Sequence, residues 1–493
     1  MQLVLELDRN SKMPLYQQVY EGVRQRILTG ILAAGQKLPS SRELAKQLAV
    51  SRSIATLSYE MLQSEGYIRT KPASGTFVSS DLPERSLTVA SNSGASKSLR
   101  TLDKIELSLL AKQIFTEKNV TLDAGSELLE LSSNAPSLAD FPLELWRQTY
   151  SRVCKRIDPT QLSYLGQEGC LALKKRLAEY LNLSRAVKCV AEQIVVCAGS
   201  KQALDLVARI HLNQSALVAM EEPGYGGARR AFQSCFAELL PVPVDSQGLM
   251  ISRLKSLMIK PKLIYVTPSH QYPLGGTMSL ARRLELLAWS NENDCLIIED
   301  DYDSEFRYGE RPIPCLQGLD KNNSVIYIGT LSKTVFPALR LGYIVLPETL
   351  HESYASMQHR LYGHPPLLDQ LTLAEFLGSG DYEKHLRRMR TLYMQKRELA
   401  RREFSRVQKK AEILGDNAGM HFVLRLPFKN GLEIKQRMAA AGIGVRMSSE
   451  FYPASSEYTE LLIGFACLSD QEIKSSARIL KEILRELENL RLI

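Results

Sequence analysis

No pair of cysteines in the chain has CxxC spacing, and no apolar run approaches the roughly 20 residues needed to cross a bilayer. The opening stretch, MQLVLELDRNSK, lacks the charged-then-apolar order of a secretion signal. No internal repeat recurs at solenoid spacing, which argues against a repeat array. Net charge is also modest: +8 over 493 residues favours solubility and does not by itself indicate a nucleic-acid partner. The eight cysteines (Cys154, Cys170, Cys189, Cys197, Cys235, Cys295, Cys315, Cys467) mostly lie in apolar runs such as Val195-Val196-Cys197. They read as reduced core residues, and the chain is expected to be cytoplasmic, with no membrane segment.

What is present is ample core material, 44% hydrophobic and 24% charged, in a chain too long for one compact unit. Three zones are expected. Residues 1–80 are dense in helical periodicity. Residues 81–125 open on a Ser-rich stretch that reads as a linker and close on LDKIELSLLAKQIF, a short amphipathic helix candidate. Residues 126–493 alternate short apolar strands with helices: QIVVCAG, ALVAMEEPGY, KLIYVTPSH, CLIIEDDYD, VIYIGTLSK and LGYIVLP. Nearly continuous apolar strands of this kind suit a parallel sheet buried on both faces. FVLRLP, GVRM and LLIGFA are strand candidates of a small α+β finish.

In PLYQQVYEGVRQRILTG, Val19, Val23, Ile27 and Leu28 share one helical face, with Arg24 and Arg26 outside it. Ser40 or Ser41 then caps a helix through Leu48, and Ser51 caps the next one after a tight turn. Two short helices joined this way form a helix-turn-helix, whose second helix enters the major groove by its N-terminal end. Arg52, Ser53 and Thr56 stand at that end, able to donate to phosphates or base edges. YIRTKPASGTFV reads as a two-stranded wing with Lys71 to Gly75 at its tip. Over residues 14–78 the pattern resembles the winged-helix domain of the GntR family, through PLYQQ, LAAGQKLPSSRELA and the closing YxxLxxEGYI. The resemblance implies double-stranded promoter DNA as partner, touched by Arg42, Arg52 and the Gly75 wing tip.

Four stretches of the larger zone carry chemistry at the C-terminal ends of predicted strands, where open α/β sheets bind ligands. Lys333 follows the strand Val325 to Ile328, flanked by Thr330 and Ser332, with Arg340 seven residues on as a fixed cation. Asp300 ends another strand, and period-2 alternation puts Tyr302 on the same side. Gly199 turns a third strand into a helix near Ser200, whose amides form an anion cradle. Tyr225 offers a ring to stack on a planar ligand. A Schiff-base lysine, an acid for a ring nitrogen and an anion cradle are together what pyridoxal 5′-phosphate requires. The acidic loop taken alone could hold a metal, but it contains no histidine, and no metal is expected.

With EEPGY, TPSHQxPxG, IIEDDYDSEF, GTxSK and LRLGY in one order, residues 126–493 resemble the fold-type I aminotransferases, and the fusion resembles the MocR subgroup of GntR regulators. The fold class implied is α/β: a winged helix-turn-helix followed by a transferase-like domain with a mixed, mainly parallel sheet and a small C-terminal α+β subdomain. The resemblance implies Lys333 as Schiff-base lysine, Asp300 on the ring nitrogen, Tyr302 on the phenolate and Tyr225 over the ring. It also implies Ser200, Lys201, Thr330 and Arg340 around the phosphate, and a homodimer, often head-to-tail, in which Tyr164 reaches the partner's phosphate.

Two departures bear on function. Aminotransferases of this type carry asparagine in an N-P-x-G turn, where this chain has Tyr272-Pro273-Leu274-Gly275, with His270 nearby. They also grip the substrate carboxylate with an arginine on a late strand, where this chain has Leu462 or Ile463. A regulator using the cofactor as sensor is therefore favoured over a working aminotransferase with a DNA-binding appendage. Relatives that sense γ-aminobutyrate carry arginines at positions that correspond here to Gly227 and Glu450; Arg229 and Arg446 are nearby cations but not clear replacements. The effector expected is a different amino compound or the vitamer itself.

Overall fold

The computed structural model describes residues 3–490 apart from 4, 10, 12, 72–73, 81–105, 117–127, 133, 164–168, 309–312, 416 and 452–457. The chain divides into two compact units, Met1–Lys112 and Gln113–Ile493.

The first unit contains α1 (Leu15–Leu28), α2 (Ser41–Gln47), α3 (Arg52–Ser64), β1 (Ile68–Lys71) and β2 (Gly75–Val78). Val19, Val23 and Ile27 recur at every fourth residue of α1 and are fully buried with Leu44, Ala55 and Leu62. Ser40, outside α2, is the cap: its hydroxyl accepts from Glu43 N at 3.2 Å and Glu43 returns the bond to Ser40 N at 2.8 Å. Ala49 adopts a left-handed conformation (φ 51°) between α2 and α3. Ser51 then caps α3 by accepting from Ile54 N at 3.3 Å. The wing is an antiparallel hairpin with Ile68 opposite Val78 and Lys71 opposite Gly75. A helix, Leu109–Thr116, overlaps the second half of the stretch expected to be short and amphipathic.

In the second unit, β3 (Leu129–Glu130) precedes the strands of the main sheet: β4 (Ile194–Cys197), β5 (Leu217–Glu222), β6 (Glu238–Asp245), β7 (Gly248–Leu249), β8 (Leu263–Val266), β9 (Leu296–Asp301), β10 (Val325–Thr330) and β11 (Gly342–Val345). Their order is β4-β11-β10-β9-β8-β5-β6-β7. Alternate residues serve opposite faces. Tyr265 and Ile298 join the core beneath helix Ser200–His211, while Ile264, Val266 and Ile297 join the core beneath helix Leu280–Glu292.

The sheet is not parallel throughout. β11 runs antiparallel to both β10 and β4. The reason is local: the segment joining β10 to β11 contains only a tight turn at Pro337–Leu339, and a parallel return needs a crossover of a dozen or more residues. Strand β6, not among the strand candidates of the sequence, carries Pro241 and Pro243. It is tolerated at the edge because β7 pairs only with Val244 and Asp245. Beyond them Pro243 is asked only to accept, from Met250 N at 2.9 Å, which needs no N–H of its own.

The last third adds β12 (Glu412–Leu414), β13 (His421–Leu426), β14 (Ile443–Gly444), β15 (Arg446–Met447) and β16 (Thr459–Gly464). Four of them form a sheet in the order β12-β13-β16-β15. The expected strand GVRM is split at Val445: Gly444 pairs with β3, and Arg446 with β16. Among the described residues no helix is long and apolar enough to cross a membrane.

Candidate DNA-reading face and cofactor cavity

On the first unit, Arg42, Arg52, Ser53 and Lys71 are exposed, Thr56 is half-buried, and Gly75 has φ +108°. The caps that start α2 and α3 thus leave Arg42 and Arg52 exposed at the helix starts, while the Ser53 hydroxyl shares a hydrogen bond of 2.8 Å with Ser51. Lys37 is a cation that the motif reading overlooked. Its amine lies 5.9 Å from the Phe77 ring centre, with Lys71 at 5.7 Å, so two cations flank the wing. The φ of +108° explains the glycine, since any other residue would be strained there; the Lys37 side chain, 2.9 Å from where a Cβ would lie, can move aside.

On the second unit, a cavity of about 380 Å³ opens at the C-terminal ends of the main-sheet strands. Ser200, Lys201, Tyr225, Asp300, Tyr302, Thr330, Lys333 and Arg340 all line it. Tyr164 lies outside the described residues. Sequence reading missed Ser132, Asn134, Tyr265 and Thr267, which also line the cavity. A tyrosine inside the apolar run LIYV was the available signal, since a buried hydroxyl must find a partner.

At one end, Gly199 (φ +86°) turns β4 into helix Ser200–His211, presenting the helix's first amides and Ser200. A Cβ on Gly199 would lie 3.3 Å from Nη2 of Arg340, which itself donates to the carbonyl of Ala198 at 3.1 Å. Cation, helix start and Thr330 form an anion cradle.

Deeper in, Tyr265 donates to Oδ2 of Asp300 at 2.6 Å, while Oδ1 is buried without a described partner. Burial pushes the Asp300 carboxyl up to about 7, against the opposing effect of the Tyr265 hydroxyl. Asp301 points the other way, accepting from Tyr327 at 2.6 Å and Ser304 at 2.5 Å. The Tyr302 hydroxyl lies 2.9 Å from Nδ1 of His270, and the same nitrogen lies 3.0 Å from the buried carboxylate of Asp303. Among the described residues, His270, Asp303 and His421 are the one group whose ligand atoms gather within 4.8 Å. His270 Nδ1 is engaged with Asp303 and Tyr302, and His421 Nε2 with the carbonyl of Pro273 at 3.0 Å, while His270 Nε2 and His421 Nδ1 are buried without a hydrogen bond. The Lys333 amine donates to the carbonyl of Asn134, and burial lowers its pKa, favouring the neutral, nucleophilic form.

Three of the four tyrosines that line the cavity pack edge-on: the Tyr225 and Tyr272 rings meet at 5.8 Å, and Tyr272 and Tyr302 at 5.9 Å. Gly227 allows this, since a Cβ there would come within 2.3 Å of the Tyr225 ring. Arg229 pairs with Glu222 at 2.9 Å and does not line the cavity. Arg446 does.

The residues present fit pyridoxal phosphate. The orphaned Oδ1 of Asp300 suits a protonated ring nitrogen, the half-buried Lys333 a carbonyl, and the cradle at Ser200 and Arg340 a phosphate.

Residues 126–480 match the family described as aminotransferase class I and II, and residues 15–78 match bacterial regulatory proteins of the gntR family. The chain is 35% identical to the probable rhizopine catabolism regulatory protein MocR of Rhizobium meliloti, over 99% of this chain and 97% of that protein. It is 29% identical to the pyridoxine biosynthesis transcriptional regulator PdxR of Corynebacterium glutamicum, over 96% of both. Among solved structures, the α-aminoadipate aminotransferase LysN of Thermus thermophilus, complexed with N-(5′-phosphopyridoxyl)-L-leucine, superposes with a TM-score of 0.67 at 25% identity, over 79% of this chain and 97% of that one. An N-terminal GntR unit joined to an aminotransferase class I and II unit along nearly the full length of such regulators places the chain in the MocR subgroup of the GntR family.

Proposed function

We propose that this protein is a transcriptional regulator that binds promoter DNA through its first unit and senses an amino compound, or the B6 vitamer itself, through pyridoxal phosphate in its second. The observation that carries this reading is a cofactor cradle coexisting with Leu462 where aminotransferases would hold the substrate-gripping arginine. Of the two candidates, Leu462 packs with Phe451 and Tyr272, whereas Ile463 joins the main core. Bound pyridoxal phosphate supplies an electrophilic carbonyl and an electron-withdrawing ring. Asp300 would hold the proton on the ring nitrogen, Lys333 would present a neutral amine, and Tyr302, held by His270, would donate to the phenolate. The names of the relatives MocR and PdxR support regulation, and that of PdxR keeps the vitamer in view.

A homodimer is part of this reading, head-to-tail by the resemblance, with Tyr164 completing the partner's phosphate site. Light scattering on the cofactor-loaded protein at micromolar concentration should give a dimer mass. The deciding experiment is footprinting and quantitative DNA binding on the region upstream of the gene and on scrambled DNA, with and without amino compounds. Wild type should prefer a promoter fragment, and binding indistinguishable from scrambled DNA under all conditions defeats the proposal. A working aminotransferase would instead show steady-state turnover with a panel of amino and keto acids.

A further inference from the structure

The cofactor cradle accounts for Lys201, Lys333 and Arg340, which all follow strands of the main sheet. One further cation lining the cavity, Arg446, comes from the small C-terminal sheet. In the antiparallel ladder of β15 and β16, Arg446 stands directly opposite Leu462. Directly opposed residues in such a ladder share a face, with Cβ atoms about 5 Å apart. An arginine at 446 therefore starts from nearly the same place as one at 462. It issues from the neighbouring strand and serves the same side of the sheet.

The surroundings of Arg446 suit an anion receptor more than a structural ion pair. Its guanidinium carbon lies 4.7 Å from the centre of the Phe451 ring, which fixes the plane of the group. The Tyr272 hydroxyl lies beside it, so that Arg446 opposes the upward push of burial on that phenol. Ser132 accepts from the Arg446 backbone amide at 2.6 Å, anchoring the residue without using its side chain. The nearest carboxylate, Glu450, stands 3.5 Å from Nε, and both that nitrogen and Glu450 Oε2 are buried without a hydrogen bond. Glu450 Oε1 is already bonded, accepting from Lys435 at 2.6 Å and Met447 N at 3.2 Å. A planar guanidinium held on an aromatic ring, with its fork not matched to any carboxylate, is suited to two-pronged recognition of a ligand carboxylate. Glu130 also lines the cavity, from the strand beside Gly444, and its charge disfavours a second carboxylate on the same ligand.

We infer that Arg446 is the carboxylate anchor of the sensing site, so that the effector is an amino acid with a single carboxylate and not a simple amine. This rests on the proposed function in taking the cofactor to occupy the cavity, and it narrows the ligand beyond "amino compound". It also makes Arg446 the counterpart, on the neighbouring strand, of the arginine missing at Leu462.

The test titrates cofactor-loaded wild type, Arg446→Leu, Arg446→Lys and Glu450→Gln with pairs of probes differing only in the carboxylate. Suitable pairs are L-alanine and ethylamine, γ-aminobutyrate and propylamine, and L-phenylalanine and phenethylamine. The readouts are the half-saturating concentration from visible absorbance and, in parallel, the change in promoter binding. In wild type at least one amino acid should act at a concentration about tenfold or more below its amine, as a charge-assisted pair requires. Arg446→Leu should erase that advantage while leaving the amine titration unchanged, and Arg446→Lys should restore part of it. Glu450→Gln, which removes the competing carboxylate, should lower the amino acid concentration needed and leave the amine's alone. Equal responses to acid and amine in every wild-type pair overturn the inference, as does an advantage that survives in Arg446→Leu. An amino acid titration unmoved or weakened in Glu450→Gln counts against it even if Arg446→Leu cannot be purified. Failure of the underlying reading has a different signature: wild type without a visible cofactor band, or without promoter preference.

Discussion

Tyr265 and Asp300 share a hydrogen bond of 2.6 Å that satisfies one carboxylate oxygen and leaves the other buried and bare. Without a cationic partner this arrangement is costly, because burial raises the Asp300 carboxyl to about 7 against an ordinary value of 3.8. A carboxyl raised in the folded state binds its proton more tightly there than in the unfolded chain. Its contribution to stability is therefore greatest below pH 4 and declines as pH rises to about 7. In the cofactor-free protein, Asp300→Asn should be more stable than wild type by roughly 2–4 kcal/mol at pH 8, a difference that shrinks towards pH 4. The same variant should bind pyridoxal phosphate more weakly. Urea unfolding across this pH range and a cofactor titration check both halves.

His270 holds Tyr302 and Asp303 at once, so its loss and the loss of the tyrosine hydroxyl should separate. His270→Phe strands the buried Asp303 carboxylate and should cost about 3 kcal/mol in urea unfolding. Tyr302→Phe should cost less than about 1 kcal/mol yet shift the absorbance of bound cofactor. Equal destabilisation by the two changes would contradict this division of roles.

Lys333→Ala should abolish the borohydride-reducible visible band of the loaded protein. An identical band in the variant would mean that another amine holds the cofactor.

For DNA, Arg52→Ala should cost about 1–3 kcal/mol on the preferred promoter and less on scrambled sequence. Lys71→Ala should weaken both about equally and flatten the salt dependence. Quantitative binding at two salt concentrations distinguishes a base reader from a phosphate contact.

Capped helices and strand-end chemistry were legible because each is written within a few residues. The cap at Ser40 or Ser41, the Asp300–Tyr302 alternation and the lysine after β10 are of this kind, though which serine caps waits on the Glu43 bond. Contacts set by register between distant strands were not. The Asn134 carbonyl that receives Lys333 lies 199 residues away, and the Arg446–Leu462 pairing exists only once β15 and β16 are laid side by side. The direction of β11 depended on its connection and not on its composition, since a buried antiparallel strand is as apolar as a parallel one.

That reversed strand has a consequence for how the cavity tolerates change in length. Gly342 pairs with Cys197 on one side and Thr330 on the other, so three segments far apart in the chain meet in one row. Any Cβ there would lie 3.0 Å from Gly199 and from the carbonyl of Gly329. Deleting or inserting a single residue between 331 and 341 would leave the buried strand β11 in register and be absorbed in the turn, displacing Arg340 while Ser200 and Thr330 stayed where they are. The cradle's geometry is thus stored in the length of a turn, and chains with a longer or shorter turn would need to find their phosphate cation elsewhere.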